Sequence, residues 1–399
     1  MIQSDTKSYD FPWSMVGSLI GLLMLGLVDN QILSPILPDV ASSLAVGVGR
    51  VGLTVSGYAL AAAAAGLVVA PLSDRGARRP FLAVAAATFT LASLAAFFAD
   101  SFLVFAGARV VAGGAAGVIS ALVVASIADR VPYERRGRVM VWVAAAYVAA
   151  PILGAALGSV IVGLWGWRPL YLLFAGAAAV LALSVWRSYT DSPSARENRD
   201  GRLRVSEMLL NYWGFLRSRN TAAGALSAFF VSGGLTAFMT YLGAYLSGEF
   251  GFDTRTVFLI FMLAGGAALL GALAAGGLSD RIGKRPVALW GSLALAVFIL
   301  LVPELGSGIA LYAGLGLTGL AAASRMAPLQ ALVTGLVSRE ARGAYVALRN
   351  TLSQLGIAVA AAVGGTLFTV RGYGAVCILA ASFSVMAAFL LLWVEEPGA

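Results

Sequence analysis

Apolar residues run along this chain in blocks of about twenty, and polar residues gather in the short stretches between them. A helix needs about 20 mostly apolar residues to cross a bilayer. That ruler finds twelve spans, at residues 14–37, 51–72, 80–98, 102–128, 138–163, 168–187, 221–247, 256–278, 286–303, 308–336, 343–369 and 372–394. The first run is too long for a signal-peptide core and lacks a small-residue cleavage site, so it is expected to remain as a span. Gly and Ala are frequent inside the runs, which suits close helix packing in lipid. Gly113 and Gly117 form one such GxxxG pair. The expected fold is an all-α integral membrane protein.

Composition sharpens this picture. The chain is 60% hydrophobic and 12% charged, against about 25% charged in a soluble domain. Histidine is absent and Cys377 is the single cysteine. A disulfide within the chain and a thiol metal site are therefore not expected, and carboxylates are left to carry any proton chemistry. The net charge is +8, but the basic residues sit in short loops between apolar runs, so a nucleic-acid partner is not expected. Of 27 Lys and Arg, twenty fall on one side of the twelve-span layout: Lys7, Arg75 to Arg79, Arg130 to Arg138, Arg187 to Arg219, Arg281 to Arg285, and Arg339 with Arg342. Four fall on the other side, Arg50, Arg168, Arg255 and Arg371, and three lie inside spans, Arg109, Arg325 and Arg349. The positive-inside rule then places both termini in the cytoplasm. The expected location is the cytoplasmic (inner) membrane of a bacterium-like cell.

The longest connection, 188–220, is polar and unpatterned at first (SYTDSPSARENRDGRLR). Its later part, VSEMLLNYWGFLR, is apolar enough for a surface amphipathic helix. It divides the chain into a six-span half at 1–187, a cytoplasmic linker at 188–220 and a second half at 221–399. An internal repeat supports the division. PLSDRGARRP at 71–80 and GLSDRIGKRP at 277–286 share six of ten positions at an offset of 206. The same offset maps Glu134 to Glu340, Arg136 to Arg342, Gly113 to Gly319 and Gly158 to Gly364. Parallel repeated halves mark one large transporter class.

These motifs resemble the major facilitator superfamily over nearly the whole chain. APLSDRGARR from Ala70 resembles the family's G-x-L-x-D-R-x-G-R-R loop motif, with Ala70 for its first glycine and Gly76 one place early. GGLSDRIGKR from Gly276 matches it fully. Arg109, Gly113 and Gly117 match an R-x-x-x-G-x-x-x-G pattern in the fourth span. AAPILGAALG at 149–158 resembles the G-P-x-x-G-G motif of antiporters, keeping Pro151 and Gly154 while Ala150 and Ala155 replace glycines. GWRPLY at 166–171 also fits. Twelve spans suit the twelve-helix drug:proton antiporter branch; WVEEPG at the C-terminus does not match the sugar-porter signature. The resemblance implies two pseudo-symmetric six-helix halves around a central cavity. It implies a gating role at the cytoplasmic mouth for Asp74, Arg75 and Arg79 and for Asp280, Arg281 and Arg285.

Charge inside a span is costly and marks function by default. Asp29 interrupts LGLVDNQILSP in the first span, and Arg109 lies in the fourth. Counted at 1.5 Å per residue from the same membrane face, they share a layer about 10–13 Å deep. In the resembled fold these spans are neighbours. Burial and a nearby guanidinium act in opposite senses on a carboxyl's proton affinity, so this pair is a candidate proton-coupling site. A static ion pair and direct contact with a cationic substrate are the other two readings. Asn30 and Gln31 extend the polar patch around the helix.

Arg325 and Arg349 lie in spans ten and eleven with no carboxylate near them in sequence. Folding the hairpin places Arg325 level with Gln354 and Arg349 level with Gln330, with Asn350 adding donors. They read either as anion-binding groups or as structural charges. In the seventh span, Thr236 and Tyr241 among aromatic residues suit a tolerant amphipathic pocket.

The resulting expectation is a secondary transporter, with proton-coupled export of small amphipathic or drug-like molecules by alternating access. Alternatives are a proton-coupled or exchange carrier of an organic anion, and a lipid-handling or sensor protein on the same fold. The expected partners are a small-molecule substrate, protons and the bilayer, with the chain acting as a monomer. An enzyme is not expected, since no nucleophile–base pair, metal cluster or phosphate-cradling Gly-Lys-Ser/Thr loop is present; no cofactor, metal or ATP is implied.

Overall fold

The computed structural model describes residues 13–73, 78–131, 133–189, 212–338 and 341–396. These residues form helices and short connections, with no strand among them. The helices are α1 (Trp13–Ser43), α2 (Val48–Ser73), α3 (Arg78–Phe97), α4 (Phe102–Arg130), α5 (Tyr133–Trp165), α6 (Arg168–Ser188), α7 (Arg219–Phe250), α8 (Thr254–Ile282), α9 (Lys284–Leu301), α10 (Ile309–Ser324), α11 (Met326–Thr334), α12 (Arg342–Arg371) and α13 (Tyr373–Leu391). Among the described residues, eleven spans meet the length and hydropathy expected of a membrane crossing, α10 with α11 counting as one. The fifth is bent by 49° between Val139–Tyr147 and Ile152–Trp165. Pro151 falls between these segments, where a proline removes one ladder hydrogen bond and crowds the preceding turn.

The first and tenth spans differ from the sequence reading in ways that bear on the site. α1 runs on to Ser43, through Pro35 and Pro38, six residues past the expected end. The tenth span is broken at Arg325, which lies between α10 and α11. Most of the expected linker lies outside the described residues. Residues 212–217 are helical, with Trp213 exposed, Tyr212 buried, and the Phe215 ring edge-on to Tyr345 at 5.2 Å.

The repeat is visible in the packing. In the first half α2 packs on α4, α1 on α5 and α6, and α3 on α4 and α6. In the second, α8 packs on α10, α7 on α12 and α13, and α9 on α10 and α13. Small residues permit the closest approaches. A Cβ on Gly113 would lie 2.3 Å from the Tyr58 carbonyl oxygen, and one on Gly319 would lie 2.3 Å from that of Ala264. Both members of this pair are displaced by 206, so the sequence repeat is also a repeat of contacts.

The halves meet through α2 against α12, α5 against α8, and α1 against α7. Call the end bearing the 188–220 connection the linker end and the opposite one the far end. The close approaches between halves run from the far end to about mid-depth: Gly49 against Gly365 and Thr369, Gly52 against Tyr241, Gly243 against Ser34 and Pro35, Gly158 against Phe258, and Gly265 against Ile152. Two hydrogen bonds between described residues cross the same interface. Ser56 donates to the Ala358 carbonyl at 2.8 Å, and Thr254 donates to Asp39 Oδ2 at 2.9 Å. Beside Thr254, Asp253 caps α8 by accepting the Thr256 N–H at 3.0 Å, and its bonds to Thr256 hold its carboxyl below the usual range.

Candidate functional site

Beside Asp29, α1 is held by small residues and a ring from α2, α4 and α5. Gly26 stands against Ala116 of α4, and its carbonyl accepts the Tyr58 hydroxyl of α2 at 3.2 Å. Gly154 of α5 stands against Val28, where an added Cβ would be 3.4 Å from Cγ1. Asp29 is thereby held against α4. Arg109 Nη1 donates to Asp29 Oδ1 at 2.6 Å, and Arg109 Nη2 approaches the Asp29 carbonyl oxygen at 3.5 Å. Both side chains are 1% exposed. The pairing anticipated from depth along spans one and four is present.

The surroundings of the pair were only partly legible. The Arg109 guanidinium lies 4.6 Å from the Tyr58 ring centroid and 6.0 Å from that of Tyr171. Tyr171 belongs to an edge-on ladder with Phe105, Trp167 and Phe174. Such faces favour a cation electrostatically. Tyr58 carried a usable signal, since it lies ten residues from the start of α2, near the depth of Arg109; Tyr171 carried none beyond the GWRPLY motif. Among the described residues, Asp29 Oδ2 and Arg109 Nε have no hydrogen-bond partner. One carboxylate oxygen is therefore open to a proton while the other keeps the ion pair. Asn30 is half-buried and Gln31 exposed.

In the second half the arginines cling to α7. Arg349 donates from Nε to the Gly224 carbonyl at 3.3 Å and from Nη1 to Gln330 Oε1 at 2.7 Å. The expected level of Arg349 with Gln330 is a direct bond. Arg325, fully buried, donates from Nη2 to the Val231 carbonyl at 3.2 Å, so its bonded partner is α7 backbone rather than Gln354. Gln354 is half-buried and Asn350 exposed.

Of the span-seven residues, Tyr241 sits differently from a pocket wall. Tyr241 is fully buried, donates to the Ala361 carbonyl at 2.6 Å and stacks on Phe368. Its hydroxyl end presses on the backbone at Gly52, so here it forms part of the seal between halves. Thr236 is half-buried. Phe229 and Phe230 pack on Phe383 of α13.

Of the motif residues, Asp74 and Arg75 lie outside the described residues, as does the side chain of Pro151. Asp280 and Arg281 are exposed in the last turn of α8. Arg79 donates to the Trp186 carbonyl and lies over the Trp186 ring, 4.3 Å from its centroid. Arg285 donates to the carbonyls of Leu391, at 2.9 Å, and Leu392, at 2.6 Å. Arg79 with Trp186 and Arg285 with Leu392 are again displaced by 206. Here both arginines tie the third helix of a half to its sixth.

A sequence model described as the Major Facilitator Superfamily matches residues 19–284 and again 225–399. The chain belongs to this superfamily. It is a transporter and an integral membrane protein. It is 25% identical over 386 residues to the MFS-type transporter YwfA of Bacillus subtilis (strain 168), covering 96% of this chain and 92% of that one. It is 26% identical over 261 residues to Multidrug resistance protein D of Escherichia coli (strain K12), covering 65% and 64%. Among solved structures it resembles a D-xylose-proton symporter at TM-score 0.79 and 16% identity, covering 97% of this chain and 98% of that one. A bacterial homologue of the human lysosomal transporter Spinster, in an inward-facing and unoccupied conformation, gives TM-score 0.77 at 15% identity, covering 98% and 100%. These two likenesses establish the fold, with its two pseudo-symmetric six-helix halves.

Proposed function

We propose that this superfamily member exports small amphipathic molecules in exchange for protons, and that Asp29 is the group that takes up and releases the proton. The observation that carries the reading is the fully buried Asp29–Arg109 pair with one carboxylate oxygen unpartnered. A buried charge costs free energy unless paired, so protonating Asp29 and freeing Arg109 are linked events. A carboxyl whose proton affinity differs between two states of the protein couples proton flow to their exchange. The Multidrug resistance protein D relative supports export.

The charge layout supports a cytoplasmic linker end, since twenty of the 27 basic residues belong there. With that orientation the glycine-lined contacts at the far end form an external seal, and the chain is in a cytoplasm-facing state. Export then proceeds by breaking the far-end seal and closing the linker end, where the motif loops carry Arg79, Asp280 and Arg285.

The test is proton movement. Protein is reconstituted in vesicles holding a pH-sensitive dye, a pH step is imposed, and cationic, neutral and anionic amphipaths are added to wild type and Asp29→Asn. Solute-triggered proton movement that is lost in Asp29→Asn is the expected result. Equal proton movement in the variant would remove Asp29 from the role. Solute flux without proton movement in either protein would remove the coupling itself.

A further inference from the structure

The two halves treat buried charge differently. In the first, Arg109 is neutralised by Asp29 at 2.6 Å. In the second, Arg325 is 0% exposed and Arg349 7% exposed, and no ion pair to either exists among the described residues. Arg325 satisfies one N–H on the Val231 carbonyl, while its Nε and Nη1 are buried without a partner among the described residues. Uncompensated charge of this kind calls for an anion.

The two cations are organised along one line. Gly224 and Val231, the α7 carbonyls they grip, are seven residues apart. At 100° per residue they share a face, and at 1.5 Å per residue they are about 10 Å apart along the axis. Arg349 is the outer of the two. Its Nε and Nη1 are fixed by Gly224 and Gln330, which leaves Nη2 for a ligand. Gln330 uses its oxygen on Arg349, so its amide N–H groups remain for the same ligand. Gln330 and Asn350 are exposed while Arg349 behind them is not. An exposed amide backed by an oriented guanidinium matches an oxygen anion, which takes charge-assisted N–H bonds in one plane.

We infer that the transported solute carries an oxyanion (a carboxylate, sulfonate or phosphate monoester) that docks on Arg349 and Gln330 at the linker end of the second half. Arg325, whose α7 partner Val231 lies two turns deeper, supplies the positive potential that draws it inward. This assignment rests on the export reading above and gives its amphipathic substrate a charge class. The partnered Arg109 leaves the first half free for the proton. Exchange of one monoanion outward for one proton inward moves two charges per cycle, so an inside-negative potential alone drives it.

The experiment is equilibrium binding of radiolabelled 1-naphthoate, 1-naphthalenesulfonate and 1-naphthyl phosphate to the full chain in phosphatidylcholine nanodiscs. 1-Naphthamide and 1-naphthylmethylammonium are the neutral and cationic controls. At least one acid is expected to bind about tenfold more tightly than the amide, the gain of one charge-assisted contact. Arg349→Gln is expected to abolish that preference and Gln330→Leu, which keeps the charge, to reduce it. Retained melting temperature and monodisperse elution establish that the variants fold. Equal binding of acid, amide and amine, absence of acid binding, or a preference unchanged in both variants would overturn the assignment. So would acid binding that 20% phosphatidylglycerol in the disc eliminates, since the oxyanion would then be a lipid headgroup. Asp29→Asn is expected to keep the acid preference, so failure of proton coupling and failure of the anion site give different results.

Discussion

Gly243 of α7 stands directly against Ser34 of α1: a Cβ on Gly243 would come within 2.7 Å of the Ser34 carbonyl oxygen and 3.0 Å of the Pro35 Cα. Both obstacles are backbone, so neither can swing aside. Gly243→Val is therefore expected to push the halves apart at the far end. Overpacking of this kind costs about 1–3 kcal/mol, enough to shift a two-state population by about tenfold. The measurement is the distance between spin labels on cysteines placed at Ser101 and Ser307, exposed far-end positions in different halves, with Cys377 replaced by alanine. A longer distance in the Gly243→Val background is expected. An unchanged distribution would mean that the far end tolerates the clash by local adjustment.

The Asp29–Arg109 pair predicts a non-additive stability cycle. Removing one partner of a buried ion pair costs about 3–5 kcal/mol, because the survivor stays charged and unpaired, whereas removing both costs far less. Asp29→Leu and Arg109→Met should each lower the melting temperature strongly, and the double variant should recover most of the loss. Melting in detergent reads this directly. Additive losses would mean that the two side chains act independently.

Tyr58 offers its ring face to Arg109 and its hydroxyl to the Gly26 carbonyl. Tyr58→Phe keeps the ring, and Tyr58→Leu removes it. Cation–ring contacts contribute about 0.5–2 kcal/mol, so the leucine variant is expected to lose that much more stability than the phenylalanine variant. Its proton-linked transport should fall further as well. Equal losses in the two would place the weight on the hydroxyl.

The bend in α5 divides it at Pro151. Pro151→Ala restores a backbone donor and is expected to straighten the helix, raising thermal stability while slowing transport. Wild-type transport together with raised stability would show that the bend serves packing alone.

Asp253 gives a pH dependence. Its carboxyl is held below the usual range by Thr256, so the cap's contribution is complete above the unfolded carboxyl's pKa of about 3.9. It is lost as pH falls through the lower folded value. The melting-temperature difference between wild type and Asp253→Asn should hold steady from pH 7 to about pH 4 and shrink below it. Asparagine keeps the cap but carries no charge. A difference that instead grows on acidification would contradict this sign.

Much of this architecture was legible in the residues alone. Twelve spans follow from the bilayer's thickness, which fixes how long an apolar run must be. The two halves follow from an offset of 206 that recurs in the sequence, and the polar break at Asp29 follows from the cost of charge in lipid. Arg109 could be assigned to it because depth along a helix is linear in residue number. Depth says nothing of direction around the helix or of what a neighbour presents, and there the sequence stopped. It could not show that Tyr58 and Tyr171 face Arg109, or that Tyr241 presses on Gly52 rather than lining a pocket. Nor could it show that Arg79 and Arg285 bind carbonyls in their own halves. Arg325 and Gln354 are level in a folded hairpin, yet Arg325 turns to Val231 because helix rotation and the break at Arg325 set its direction. Such contacts depend on how α1, α4, α7 and α12 are rotated and brought together. That is decided by the summed packing of glycines and side chains from distant segments, and no single stretch of chain encodes it.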